Sequence, residues 1–156
     1  MPELPEVETV RRRLEPILVG RKFERVAIDD PRLTRPDDPV EVAAELTGER
    51  VEALERRGKY LIVRFESGRV LLIHLRMTGN VLHVPPGTSA EVPHRRAVVN
   101  LDDGSGVVYR DVRRFGTWLL VEPNELDAYL APRLGGEPIG RTFTTRSLAA
   151  RLATWS

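Results

Sequence analysis

Apolar residues near the start of the chain recur at the three- and four-residue spacing of an amphipathic helix. They are Val7, Val10, Leu14, Ile17 and Leu18. Pro5 suits the first turn of such a helix and Gly20 its C-terminal cap, whereas Pro16 would kink or loosen the last turn. The pattern therefore predicts a helix over residues 5–20 with one face against a core.

Beyond this helix the pattern changes to short runs of apolar and β-branched residues separated by turn signals, notably ESG at 66–68 and DDGSG at 102–106. The predicted strands are 25–29, 50–55, 59–65, 69–75, 80–84, 97–101, 107–109 and 117–121. Short helices are predicted over 40–46 and near 123–131. We expect an α+β, mainly β fold: an antiparallel β-sandwich, or a barrel, flanked by helices.

The end of the chain suggests a second unit. LGGEPIG at 134–140 has the composition of a linker, and the amphipathic segment TTRSLAARLATWS follows it. A helix that opens after a linker and then stops has no partner for its apolar face. We expect a β-sandwich domain over 1–133, a linker over 134–143, and the start of a truncated helical domain over 144–156.

Composition narrows the class of protein. The 156 residues are enough for one stable domain, and they include no cysteine, which excludes disulfides and thiolate metal sites. The acidic start is unlike a secretory signal, and no apolar stretch is long enough to span a membrane. We therefore expect a soluble, cytoplasmic protein without a membrane partner.

Charge is distributed unevenly along the chain. Residues 1–55 contain nine basic and fourteen acidic side chains, residues 56–121 eleven and five, and residues 122–156 four of each. The basic middle third contains RRGK, HLRM, PHRR and YRDVRRFG. It is either an electrostatic footprint for nucleic-acid phosphates or a solvated charged face.

The N-terminal segment MPELPEVETVRR raises a chemical possibility. Without Met1, Pro2 presents a secondary amine with a pKa of about 8, so more of it is unprotonated at neutral pH than of a lysine. Its attack on a carbonyl-like carbon would give a permanently cationic iminium, an electron sink for elimination, while Glu3 could move protons. Proline at position two is also common in proteins where it has no catalytic role.

Four segments together resemble one family. MPELPEVETVRR, RRGKYL at 56–61, HLRMTG at 74–79, and His94 with YRDVRRFGTW at 109–118 are similar in order and spacing to formamidopyrimidine-DNA glycosylases. LGGEPI resembles the interdomain linker of that family. The resemblance implies a monomeric bifunctional DNA glycosylase and abasic-site lyase. Its partner would be double-stranded DNA containing oxidised purines, namely 8-oxoguanine and formamidopyrimidines.

The resemblance also assigns catalytic roles. Pro2 matches the Schiff-base nucleophile, which attacks the anomeric carbon of the damaged nucleotide, and Glu3 matches the acid that assists loss of the base and ring opening. Lys59 matches a proton donor for β-elimination that also contacts phosphate. Glu6 matches a supporting glutamate, although a first-turn charge at a helix N-terminus is an equally good explanation.

A base inside a duplex must be extruded before it can be excised, and glycosylases are an established example of this base flipping. Met77, Arg113 and Phe115 match the residues that fill the resulting gap. Met adapts to an irregular space, Phe can wedge between base steps, and Arg can hydrogen-bond the orphaned base. Considered singly, Met77 and Phe115 are more often core residues.

The resemblance further implies a phosphate-binding surface. His94 and Arg113 match phosphate contacts, Arg114 extends the basic surface, and His74 either joins it or holds the neighbouring loop. The other candidate basic residues are Arg56, Arg57, Arg76 and Arg95. Such contacts give affinity and position but carry no sequence information, as damage recognition requires.

The chain departs from the family beyond the linker. Intact members continue into a helix–two-turns–helix domain and a zinc finger with four cysteines, so the zinc expected there has no site in this chain, and no other cofactor is expected. We expect weak or undetectable activity from the 156 residues alone. The alternatives are an endonuclease VIII-type glycosylase for oxidised pyrimidines, a non-catalytic DNA-binding module, and a β-sandwich without a ligand.

Overall fold

The computed structural model describes residues 4–76, 78–88 and 91–133. The predicted helix over 144–156, the linker, and the site residues Pro2, Glu3 and Met77 lie outside the described residues. The helices are α1 (Leu4–Leu18), α2 (Pro39–Leu46) and α3 (Leu126–Leu130), the last between 3₁₀ turns at Pro123–Glu125 and Ala131–Arg133. No helix in this described part is long and apolar enough to cross a membrane.

Eight strands of the described residues form two antiparallel four-stranded sheets, which confirms the predicted fold class. The strands are β1 (Phe23–Ile28), β2 (Val51–Arg57), β3 (Tyr60–Phe65), β4 (Val70–His74), β5 (Gly79–Val84), β6 (Arg95–Leu101), β7 (Gly106–Asp111) and β8 (Thr117–Val121). The first sheet has the order β1-β6-β7-β5 and the second β2-β3-β4-β8. Both predicted turns connect hairpins, β3 to β4 and β6 to β7.

The main core lies between the sheets. Alternate residues of the strands pack there with Val7, Leu14 and Leu18, so the helical face read from the sequence is the buried face of α1. A second cluster lies on the other face of β3, β4 and β8, where α3 covers Tyr60 and Leu72. Because β3, β4 and β8 are buried on both faces, these strands read as continuous apolar runs rather than alternating ones.

Strand and helix limits differ from the predicted ones by small amounts with physical causes. Strand β7 continues to Asp111, because Arg110 pairs with Asn80 on one side and Arg95 on the other. Helix α1 stops at Leu18, and Gly20 then adopts φ +86° and donates its N–H to the carbonyl oxygen of Val51 at 2.8 Å. Gly20 therefore makes the turn that the sequence predicted for it.

Candidate nucleic-acid interface

The direction of α1 determines which end of the sandwich its first turn lies near. The Arg56 Nε atom lies 2.9 Å from a Glu8 carboxylate oxygen, and an Arg11 N–H donates to the Leu54 carbonyl oxygen at 3.5 Å. The helix thus runs antiparallel to β2, and its first turn lies toward the turn between β2 and β3. Pro2 and Glu3 directly precede that first turn in the chain.

Glu8 ties α1 to the second sheet. Its carboxylate accepts hydrogen bonds from Arg11 at 2.8 and 3.0 Å, from Arg12 at 2.9 Å and from Arg56 at 2.9 Å. These donors, with Arg11 the largest contributor, hold the pKa of Glu8 far below its usual range. Arg56 also donates to the Gly58 carbonyl oxygen at 3.0 Å, so the same guanidinium contacts the β2–β3 turn.

Lys59 is half-buried within this turn. Gly58 precedes it with φ +60°, a conformation that glycine adopts without the steric cost of a Cβ. The next residue, Tyr60, pairs with His74 across β3 and β4. Lys59 therefore lies at the end of the second sheet where β4 finishes.

His74 is buried, with its ring stacked edge-on against Tyr60 at a centroid distance of 4.6 Å. Burial first, then the positive charges of Arg76 and Lys59, lower the pKa of His74 from 6.5 to about 4. The neutral ring accepts a hydrogen bond at Nδ1 from the Arg76 N–H at 3.1 Å. This geometry suits the loop-holding role considered for His74, whereas a cationic phosphate contact would require protonation of a buried ring.

The turn between β7 and β8 carries the predicted wedge. Phe115 is 49% exposed, which is contrary to the core assignment that its residue type favours, and Arg113 is also exposed. Arg113 donates its backbone N–H to Thr78 Oγ1 at 3.1 Å, so this turn contacts the loop that contains Met77.

The candidate basic residues fall into two groups. Arg57 pairs with Asp127 at 2.9 Å and Arg95 with Asp29 at 2.8 Å, while Arg56 holds Glu8 as described above. The second group is Arg76 and Arg113: within the described ranges, no carboxylate is within ion-pair distance of either, and both are exposed. Their positive charge is not balanced by a neighbouring carboxylate in these ranges and is therefore available to phosphates.

Arg114 belongs to the paired group. Its guanidinium donates two hydrogen bonds to the buried Asp30 carboxylate, at 2.6 and 2.8 Å. This bidentate contact, with a further N–H from Arg32, lowers the pKa of Asp30. The Arg114 side chain therefore anchors the β7–β8 turn to the end of β1, a structural role beside the DNA contact predicted for it.

His94 is exposed immediately before β6, with φ +60°. Its carbonyl oxygen accepts the Asp111 N–H at 3.1 Å. His94 therefore lies beside the end of β7 and the turn that carries Arg113.

Strand register brings these segments to one end of the sandwich. In the second sheet His74 pairs with both Tyr60 and Thr117, and in the first sheet Asp111 pairs with Gly79. The segments collected there contain Lys59, Arg76, His94, Arg113 and Phe115. The structure thus brings together the predicted site residues that it describes. Glu6 is exposed in the first turn of α1, which lies toward the same end.

Several residues that hold this end together were missed by the sequence reasoning. Glu8 has Arg11 and Arg12 at helical spacing, which is a usable signal, but Arg56 is 48 residues away. Asp30 is 84 residues from Arg114, and the chain between them gives no local signal of the contact. Asp111 stands in the motif YRDVRRFG, yet nothing in those letters indicates that it is buried.

Comparison with known proteins agrees with this geometry. Residues 1–118 match the model of the formamidopyrimidine-DNA glycosylase N-terminal domain. The chain belongs to the formamidopyrimidine-DNA glycosylase family. A curated formamidopyrimidine-DNA glycosylase from Rhodospirillum rubrum is 46% identical over 154 residues, which are 97% of this chain and 54% of that protein. The chain therefore spans about half the length of this curated relative.

Solved structures of formamidopyrimidine-DNA glycosylases share the fold. The Lactococcus lactis enzyme, non-covalently bound to DNA containing an abasic site, has a TM-score of 0.78 and 34% identity, covering 85% of this chain and 50% of that one. A structure of MutM in complex with DNA containing carbocyclic 8-oxo-G also has a TM-score of 0.78, at 35% identity, over 85% of this chain and 48% of that one.

Proposed function

We propose that this chain is the catalytic domain of a bifunctional DNA glycosylase and abasic-site lyase for oxidised purines, with Pro2 as its nucleophile. The observation that carries the proposal is the convergence of Lys59, His94, Arg113 and Phe115 at the end of the sandwich where α1 begins. Family membership and the DNA complexes of its relatives support the same substrate class.

The reaction starts at the proline nitrogen. Pro2 forms a bond to the anomeric carbon of the damaged nucleotide, the bond from that carbon to the base breaks, and the base leaves with its electron pair and a proton. Glu3 supplies a proton as the sugar ring opens, which leaves an iminium cation on Pro2.

The iminium then drives strand cleavage. It accepts the electrons released when the neighbouring carbon loses a proton, and the 3′ phosphate leaves by β-elimination; a second, δ-elimination releases the 5′ phosphate. Lys59 acts as the proton donor and holds a phosphate. Hydrolysis of the final iminium by water releases the sugar fragment as an aldehyde and frees Pro2 for another cycle.

Recognition precedes this chemistry. Exposed Phe115 wedges between base steps, Arg113 hydrogen-bonds the orphaned base, and Met77 fills the remaining gap. His94 and Arg76 contact phosphates beside the extruded nucleotide. His74 positions Arg76 through the hydrogen bond to its backbone N–H.

The nucleophile requires that Met1 be removed, because with Met1 attached the nitrogen of Pro2 is an amide. N-terminal sequencing of the active protein tests this requirement. An active protein that retains Met1 would overturn the assignment of Pro2.

The decisive experiment traps the iminium with borohydride on a duplex that contains 8-oxoguanine opposite cytosine. It uses the 156-residue chain and a version extended with the C-terminal half of the Rhodospirillum rubrum relative, both without Met1. We expect a covalent adduct in the extended protein that maps to Pro2 by mass spectrometry and is much weaker in Pro2→Gly. DNA binding by the extended protein without any adduct would instead indicate a non-catalytic module.

A parallel duplex containing an oxidised pyrimidine tests the endonuclease VIII-type alternative. Faster trapping on the purine supports the proposed substrate class. Faster trapping on the pyrimidine would favour the alternative, with the same nucleophile.

A further inference from the structure

Asp111, at the end of β7, is 1% exposed, and its carboxylate accepts four hydrogen bonds. One oxygen accepts from the Thr78 hydroxyl and from the Arg114 N–H at 3.1 Å; the other accepts from the Gly116 N–H at 2.8 Å and the Tyr109 hydroxyl at 3.3 Å. An ionised carboxylate can only accept, so it matches a site where every neighbouring group is a donor.

These contacts join separate segments of the interface. Thr78 belongs to the loop between β4 and β5, which contains Met77, whereas Arg114 and Gly116 belong to the turn that presents Phe115. Thr78 Oγ1 also accepts the Arg113 N–H, so a single hydroxyl bridges the carboxylate and the turn. The relative position of the loop and the turn therefore depends on one buried acid.

The backbone of Asp111 adds a third segment. Its N–H donates to the His94 carbonyl oxygen at 3.1 Å, and its carbonyl oxygen accepts from Arg96 Nε at 2.9 Å. Arg76, His94 and Arg114, one in each segment, have φ between +55° and +63°. Non-glycine residues hold this left-handed conformation when the surrounding contacts enforce it.

Tyr109 fixes the distance between the loop and the turn. A Cβ added at Gly116 would lie 1.6 Å from the Tyr109 hydroxyl oxygen, and one added at Gly79 would lie 2.6 Å from it. Both backbones thus pack directly on the hydroxyl that donates to Asp111. The loop and the turn cannot shift independently of this pair.

We infer that Asp111 is a positioning residue for lesion extrusion: it sets the arrangement of the loop and the turn that insert into the duplex. The inference rests on the proposed function. Asp111 does not touch the reacting atoms, so its loss should impair the extrusion step and spare the chemistry at Pro2.

The test compares two substrates for the extended protein without Met1. A duplex with 8-oxoguanine requires extrusion and gap filling, whereas a single-stranded oligonucleotide with an abasic site requires neither. For Asp111→Asn, we expect the rate of borohydride trapping to fall about tenfold or more on the duplex and to change little on the single strand. Asp103→Asn is the matched control, since Asp103 accepts from the Ser105 N–H at 2.9 Å in the turn at the other end of β7.

A second pair of variants keeps the test valid if Asp111→Asn does not fold. Thr78→Val removes the donor to the carboxylate, and Thr78→Ser retains it. We expect the duplex-specific loss in Thr78→Val and near wild-type rates in Thr78→Ser. Equal losses on both substrates in a folded variant, or no loss on either, would overturn the inference. An unmodified extended protein that forms no adduct on either substrate would instead contradict the proposed function.

Discussion

At the scale of single residues, the interface depends on side chains whose charge state is set by burial. His74 shows this most directly, because its neutral ring accepts the Arg76 N–H and its pKa is lowered to about 4. The folded protein therefore binds the His74 proton less tightly than the unfolded chain, whose histidine keeps a pKa near 6.5. Protonation of the folded state breaks a hydrogen bond and places a cation beside Arg76 and Lys59.

The sign of the pH dependence follows from that difference. Stability from His74 is complete above pH 6.5 and decreases as the pH falls toward 4, so wild type should lose about 2 kcal/mol between pH 7.5 and 5. His74→Asn keeps an acceptor without a titrating group, and its unfolding free energy should change much less across that window. Urea unfolding at pH 7.5 and at pH 5 measures the free energy of unfolding of each protein. Equal losses of unfolding free energy in wild type and His74→Asn would show that His74 is not the titrating group.

At the scale of elements, the pairing of the strands determines where the turns between them lie. The turn after β7 is shaped by close contact, because Gly116 has no room for a side chain against Tyr109. The turn after β3 is shaped by conformation instead, since Gly68 has φ +98°.

The contact at Gly116 predicts a non-additive effect. Gly116→Ala should destabilise the fold by about 1–3 kcal/mol, because its Cβ overlaps the Tyr109 hydroxyl. The same substitution should cost less in a Tyr109→Phe background, which lacks that oxygen. Gly104→Ala is the control: its Cβ is 3.7 Å from its nearest neighbour, Pro86, and its φ is +91°. Its cost should be the same in both backgrounds. Chemical denaturation of wild type, Tyr109→Phe and the two glycine variants in each background gives the comparison.

Helix α1 depends on a polar contact for its placement on β2. Glu8→Gln removes the charge that holds Arg56 and Arg11, so amide hydrogen exchange should accelerate in the first turns of α1 while the β core stays protected. Glu15→Gln is a matched control on the same helix, because the Glu15 carboxylate makes one ion pair among the described residues, with Arg11 at 3.4 Å. Unchanged exchange in Glu8→Gln would show that apolar packing alone fixes the N-terminal end.

Sequence reasoning succeeded where the signal is local and failed where it is not. The apolar stripe of α1 and the β-branched runs place every strand to within about two residues, since periodicity and turn residues act over a few positions. Asp111 was missed because its donors come from residues 78, 109, 114 and 116, and their convergence exists only after β5 and β7 pair. The exposure of Phe115 likewise depends on the turn that Asp111 organises.

At the scale of the whole molecule, the fold pairs some arginines with carboxylates and leaves others, within the described part of the chain, without a carboxylate partner. Many of the arginines hold carboxylates, and Arg21, near the turn between β6 and β7, pairs with Asp102 at 3.6 Å. Arg76 and Arg113 lie at the opposite end of the sandwich, where no carboxylate of the described residues is within ion-pair distance of either. A nearly neutral chain, with a net charge of +1, can therefore still present unpaired positive charge at this end of the sandwich.

This asymmetry predicts which arginines contribute to DNA binding. Each phosphate contact releases condensed counterions, so removing one should reduce the slope of log affinity against log salt by about 0.9. Arg76→Gln in the extended protein should lower duplex affinity at low salt and reduce this slope. Arg21→Gln removes the same charge at the other end and should leave the slope unchanged. Fluorescence anisotropy over a salt series measures both slopes. Equal effects of the two variants would mean that net charge, rather than a localised surface, attracts the duplex.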